Sequence, residues 1–475
     1  MAISAQCPHC GELLNVKDEF AGRKGKCPKC QAAFRVPAKS AVPVKAAAAV
    51  LAPDEDAVGA ASASHLLAKL PSDPVALHDA IVGAFDSRLT PPPVPLGRKL
   101  FTLAVAGVLL ILPLFYIAAL AGLAYGLFWL GTSSYGRSLH PAVFWTGLVV
   151  DGLLLLCLLK PLVEPRRRTV AVFPLAAHQA GLLGEFIEAI GRQLNAPPPK
   201  QLQVECSTRL ELDRRGGGVL TIGLPLAASL SVEQLAGLIG GQLALVRRGA
   251  GCGPTNLIRA INGWLWRSIY EDGRLDAWLS RVAQRPKFSA AKLLLPLRAA
   301  KLVAQAVLFI PMFIGNTIAQ NLVRQSELDA DRAAARLVGR ETFSASLVRL
   351  GVVEFTWQGI LSELSFLYKE QQLPDSLPQQ LAVRLLDMTP ELCAALRDTV
   401  AKQEEKPFDS RPSDEERLAA TKTEPQGGVY VCGLPARALF GDYEGLARKV
   451  TFEYYSGLFG PHLLTAAMQK VSVPR

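Results

Sequence analysis

Residues Leu100–Leu130, LFTLAVAGVLLILPLFYIAALAGLAYGLFWL, carry no charged side chain over 31 positions. A helix needs about 20 predominantly apolar residues to cross the hydrocarbon core of a bilayer. The run therefore predicts a membrane-spanning helix, being too long and too uniformly apolar for a buried soluble one. A second run, Pro141–Leu159, is just long enough to return. Asp151 interrupts it. A lone carboxylate near mid-bilayer costs roughly 3 kcal/mol on insertion scales, so Asp151 is expected to face the partner helix. Arg98 and Lys99 precede the first run, Lys160 and Arg166, Arg167 and Arg168 follow the second, and the connection holds only Arg137. That asymmetry predicts a hairpin with both ends in the cytoplasm, placing the chain in the inner (cytoplasmic) membrane with its N-terminus and C-terminal domain on the cytosolic side.

Upstream of the hairpin, Cys7-Pro8-His9-Cys10 is followed, after sixteen residues, by Cys27-Pro28-Lys29-Cys30. Two Cys-x-x-Cys turns at this separation match the four-thiolate pattern of a structural zinc ribbon. Each turn presents two sulfurs, and the pair closes a tetrahedron with Cys7, Cys10, Cys27 and Cys30 as ligands; His9 is then a bystander. Short alternating stretches, Glu12–Val16 and Ala32–Val36, predict small strands. A module of about 35 residues cannot bury a self-sufficient core, so zinc is expected to supply the folding free energy. Lys17, Arg23, Lys24, Lys26, Lys29 and Arg35 make the module basic, which permits nucleic-acid contact. Only Phe20 and Phe34 accompany them, giving little for bases to stack on.

The organisation that follows is a ribbon over 1–37, a flexible linker over 38–97 with one short amphipathic helix within Asp73–Leu89, the hairpin over 98–161, and a larger domain over 162–475. Half the residues are hydrophobic and the formal charge is +10, a balance that membrane flanks explain as readily as a nucleic-acid surface. Five of the nine cysteines lie outside the ribbon with no paired spacing, which fits reduced cytosolic thiols. No charged segment followed by an apolar core precedes Cys7, so no signal peptide is expected.

The domain reads as α+β and mostly helical. Gln201–Cys206 and Val219–Ile222 are strand-like around the turn Arg214–Gly218. Ser231 and Gln234 form a capping box that opens a helix, whose residues Leu235, Leu238, Ile239, Gln242 and Leu245 share one face. A second helix is expected from near Glu327 to Gly339. Three stretches carry a resemblance: Leu220–Leu226 with Leu230–Leu235 (LTIGLPL and LSVEQL), Ser326–Arg332 (SELDADR), and Phe408–Asp414 (FDSRPSD) with Arg417. In this order, behind a membrane hairpin, they resemble HtpX-like membrane metallopeptidases, relatives of the CAAX prenyl proteases. The resemblance implies a zincin-like scaffold, with a zinc-binding helix after Ser231 and a third ligand at Glu327, followed by Asp331.

The departure from that family bears on function. Its His-Glu-x-x-His signature places two imidazoles one helical turn apart around zinc, with a carboxylate acting on bound water. The matching positions here are Gly241, Gln242 and Leu245, and the later histidine position is Arg411. No two of the six histidines are four apart, so no catalytic zinc is expected. The expectation is a pseudopeptidase, a membrane-anchored platform for a protein partner or an unfolded or membrane-protein client. The alternatives are an active membrane zinc metalloendopeptidase and a membrane-tethered nucleic-acid binder. Glu327 and Asp331 have a plainer reading as an exposed pair among Arg324, Arg332 and Arg336. Leu302–Val323 is also free of charge. A single crossing there would put Glu327 and Gln242 on opposite sides of the membrane. A helix buried in the domain or dipping into the bilayer is therefore expected, with Leu293–Leu297 as its other arm.

Overall fold

The computed structural model describes residues 2–6, 13–17, 24–26, 33–35, 70–71, 73–85, 89, 96–134, 138, 140–163, 171–175, 177–213, 218–247, 252–270, 290–388, 412–460 and 468–469. The chain divides into two units, Met1–Gly59 and Ala60–Arg475.

The first unit holds two antiparallel hairpins. Strand β1 (Ala2–Gln6) pairs with β2 (Leu13–Lys17), with Gln6 opposite Leu13. Strand β3 (Lys24–Lys26) pairs with β4 (Ala33–Arg35), with Lys26 opposite Ala33. The two expected strands are present as β2 and β4, and β1 and β3 are their partners. Each Cys-x-x-Cys stretch falls in the sequence between the two strands of one hairpin. The four cysteines themselves lie outside the described residues.

The second unit is mostly helical around a small sheet, and it has two apolar cores. Helix α1 (Pro74–Val82) is the short linker helix, capped by Asp73 and closed by Gly83. The bundle core gathers α2 (Leu96–Leu109), α3 (Ile111–Thr132) and α4 (Pro141–Val163) with α8 (Cys252–Tyr270) and α9 (Ala290–Val338). The break at Leu110 between α2 and α3 has a local cause. Pro113 cannot donate to the carbonyl of Leu109, and its ring crowds that carbonyl. Three helical stretches are long and apolar enough to cross a membrane: Lys99–Thr132, Pro141–Leu159 and Arg298–Val338. Their outward faces are as apolar as their seams, with Phe101, Ile117, Trp145 and Ile310 all exposed. A soluble helix turns charge outward instead. Asp151 does face the partner helix: its Oδ2 lies 3.1 Å from where a Cβ on Gly126 of α3 would sit.

Helix α9 corrects two expectations. It is one 49-residue helix rather than a helix starting near Glu327, roughly 70 Å long at 1.5 Å per residue. Leu302–Val323 is not buried in the domain, because Leu302, Ile310, Phe313 and Ile314 are exposed along it, and Leu293–Leu297 continues the same helix instead of forming a second arm. Pro296 and Pro311 do not stop it, since packed neighbours can stabilise a proline inside a membrane helix. Helix α8 runs antiparallel beside it with Ile258, Ile261, Leu265 and Ile269 buried, the 3–4 spacing of one helical face. Asn262 Nδ2 donates to the Gly315 carbonyl (3.4 Å) and Gln305 Nε2 to the Ile269 carbonyl (2.8 Å). Interhelical polar contacts of this kind hold helices together where lipid gives no hydrophobic drive. The chain thus leaves the domain along α8 and returns along α9, so Glu327 comes back to the domain that holds Gln242.

The domain core packs α5 (Ala177–Leu194), the short α6 (Leu224–Ser229), α7 (Val232–Ala244), the last turns of α9, α10 (Arg340–Lys369) and α11 (Leu377–Leu386) with a four-stranded sheet. Its strands are β5 (Val172–Pro174), β6 (Gln201–Glu205), β7 (Leu210–Asp213) and β8 (Val219–Gly223), ordered β5-β6-β8-β7. β6 and β8 are parallel and the outer pairs antiparallel. The two strands expected from sequence are thus the central pair. The capping box is present: Gln234 N donates to Ser231 Oγ, and Ser231 N to Gln234 Oε1, both at 3.1 Å. Val204, Leu220, Ile222, Leu235 and Ile239 are wholly buried here, each contributing roughly 1.5–3 kcal/mol of apolar burial.

Candidate functional site

Helix α7 lies against the C-terminal part of α9 at very short range. A Cβ on Gly237 would sit 3.0 Å from Val338 Cγ2, and one on Gly240 2.8 Å from Leu337 Cδ2. Gly241 faces Ala334 Cβ at 3.9 Å. As the α7 numbers rise the α9 numbers fall, so the helices are antiparallel. By that register Leu245 comes level with Ala330 and Asp331, and Glu327 lies one turn further along α9. Leu245 is buried and ends α7 as its C-cap, while Gln242 is half-buried. Five of the six candidate site residues therefore belong to one helix pair; Arg411 lies outside the described residues.

The two carboxylates are not an exposed pair, which corrects the plainer reading. Asp331 is 5% exposed. Arg417 grips it with both arms of its guanidinium, Nε to Oδ2 at 2.8 Å and Nη2 to Oδ1 at 2.9 Å. Burial disfavours the Arg417 charge, but hydrogen bonds and attraction from Asp331 outweigh it and raise the pKa above the ordinary arginine value. Breaking a buried pair of this kind by removing one partner costs about 3–5 kcal/mol. Arg417 is aimed by α12 (Asp414–Thr421), whose N-cap Ser413 Oγ accepts from Glu416 N at 3.3 Å. The same segment is strapped along α9 by Arg324 Nε to Glu416 Oε2 (2.7 Å) and Arg336 Nε to Glu424 Oε2 (2.5 Å). Two of the arginines thought to surround Glu327 and Asp331 are thus engaged by the strap, and Arg332 pairs with Asp329 at 2.9 Å.

Glu327 meets a different cation. Arg259 of α8 reaches it through Nη2 at 3.2 Å, with side chains only 14% and 25% exposed. Sequence reading passed over Arg259. Its available signal was an arginine standing beside the apolar stripe Ile258, Ile261, Leu265, Ile269, a position from which it must either escape to water or find a buried partner.

These residues do not fit a catalytic zinc. Gly241 and Leu245 offer no lone pair, Gln242 is an amide, and the Glu327 carboxylate is already held by a guanidinium. Three protein ligands are the rule for such a metal. Among the described residues no three His, Cys, Asp or Glu side chains gather around a common point; the ribbon cysteines are not among them. Cys157, Cys206 and Cys432 are buried thiols, and burial pushes the Cys206 thiol far above its ordinary pKa. No family model, no curated protein and no solved structure matches the chain.

Proposed function

We propose that the chain is a membrane-anchored protein-binding platform: a zinc ribbon, a membrane bundle, and a metallopeptidase-like domain that does not cleave. The observation that carries this reading is the α7–α9 pair, which sets Gly241, Gln242 and Leu245 beside the helix of Glu327 and Asp331 with neither an imidazole nor a carboxylate at those three positions. Hydrolysis by such a site requires a metal to polarise the carbonyl and acidify water, and a carboxylate to move the proton. Gln242 can do neither. The platform then acts by holding a protein, with the ribbon as its second contact.

Purified full-length protein in detergent should hold one zinc per chain, in the ribbon. It should cleave casein or an unfolded membrane protein no faster than a buffer blank. Chelator-sensitive proteolysis, free of contaminating peptidase, would overturn the reading.

On this reading both soluble parts belong in the cytoplasm. The antiparallel α8–α9 pair supports an even number of crossings, and Trp266 and Tyr270, whose rings lean together with centres 4.2 Å apart near the far end of α8, suit a membrane–water boundary. A cysteine introduced at Ser134 or Ser280 should be labelled from outside intact cells, and one at Ser413 should not. Outside labelling at Ser413 would refute this topology.

A further inference from the structure

Arg259 does more than sit near Glu327. A single nitrogen, Nη2, reaches three acceptors on one turn of α9: the Val323 carbonyl (3.2 Å), Ser326 Oγ (2.7 Å) and Glu327 Oε1 (3.2 Å). Ser326 in turn donates its own hydroxyl to the Val323 carbonyl at 2.7 Å, which orients its oxygen to accept from the guanidinium. The charge is held in place by one turn of α9. It is also permanent, because a guanidinium does not lose its proton in proteins. Finally, it stands where the charge-free stretch Leu302–Val323 ends and the domain begins.

We propose that Arg259 is the built-in cation of this site. It neutralises Glu327 in place of a metal, pins α8 to α9 where the bundle meets the domain, and repels any divalent ion that approaches the same carboxylate. The proposal rests on reading α7 and α9 as a metallopeptidase-like pair. It goes further by naming what replaced the ion: restoring ligands on α7 is not enough to restore metal binding while Arg259 remains. The repulsion is strong for the reason that the pair is strong. Both side chains are largely withdrawn from water, and charges interact more strongly in such surroundings than at an open surface.

Two measurements on the full-length protein in detergent test this separately. The first is a thermal cycle with Arg259→Met, Glu327→Gln and the double variant. Each single change should lower the unfolding midpoint by stranding its partner, and the double should be no worse than the worse single. Additive losses would mean that the two residues do not act as a pair, and the proposal fails. The second uses Gly241→His, Gln242→Glu and Leu245→His together, with Arg259 kept or changed to methionine. Zinc is titrated against a competing chelator, with the ribbon ion counted first. The second zinc should bind at least tenfold more tightly without Arg259, and equal affinity would overturn the proposal. If neither variant takes a second zinc although the cycle shows coupling, Arg259 stands as the counter-charge of Glu327, and the metallopeptidase-like reading is what fails.

Discussion

Replacing Cys27 by serine should unfold the first unit and weaken its zinc binding by orders of magnitude. The strands of that unit are three to five residues long and paired only two by two. Isolated two-stranded hairpins are marginal in water, and a structural zinc site supplies on the order of 10 kcal/mol or more of folding free energy. A serine hydroxyl is not a thiolate, so three sulfurs would remain for a four-coordinate ion. Each Cys-x-x-Cys falls between the strands of one hairpin, so one lost ligand loosens the tie between the two hairpins. Zinc content of the full-length variant under chelator competition should fall from one to near none. Circular dichroism of Met1–Gly59 should change with zinc in the wild type and stay flat in the variant. A wild-type spectrum indifferent to zinc would remove the ribbon from this account.

The parts of the fold that were legible in the sequence are those set by local composition. Thirty-one positions without charge leave a chain few options, and a serine three residues before a glutamine announces a helix start wherever the pattern continues. The end of α9 at Gly339, with φ of +86°, was legible for the same reason. Its beginning was not, because nothing between Ala290 and Glu327 except two prolines marks a boundary, and membrane helices absorb prolines. Helix α8 was missed because composition counts Asn262 and Arg259 as polar wherever they point. Here they point inward, to Gly315 and Glu327. The partners of the two candidate carboxylates were hidden by distance along the chain: Asp331 and Arg417 are 86 residues apart, Arg259 and Glu327 68. A motif can nominate a carboxylate, but which cation satisfies it depends on packing that no local window contains.

The last expectation concerns what keeps α9 in register with α7. Gly428→Ala should destabilise the second unit by roughly 3–5 kcal/mol, combining overpacking against rigid backbone with a buried hydrogen bond forced apart. The segment carrying Gly428 passes directly across the end of α9. Tyr430 N donates to the Leu337 carbonyl at 2.9 Å, and Arg340 N to the Pro425 carbonyl at 3.0 Å. A Cβ on Gly428 would lie 2.3 Å from the Val338 carbonyl carbon and 2.4 Å from Gly339 N. Those are backbone atoms of a helix terminus and cannot swing aside as a side chain would. The approach is reciprocal, since a Cβ on Gly339 would lie 2.4 Å from the Gln426 carbonyl oxygen. Moving the segment outward would also pull on Tyr430, wholly buried against Phe85 at 4.5 Å between ring centres. It would stretch the Arg336–Glu424 pair of the strap as well. The neighbouring glycine provides the control. A Cβ on Gly427 meets nothing within 4 Å, so Gly427→Ala should change stability by no more than about 0.5 kcal/mol, as at an ordinary surface position. Denaturant unfolding of the two variants in the same detergent should separate them clearly. Equal effects would mean that the close crossing at Val338 and Gly339 is not what fixes the end of α9. The register that sets Gly241 against Ala334 would then have to be held by the α7–α9 contact alone.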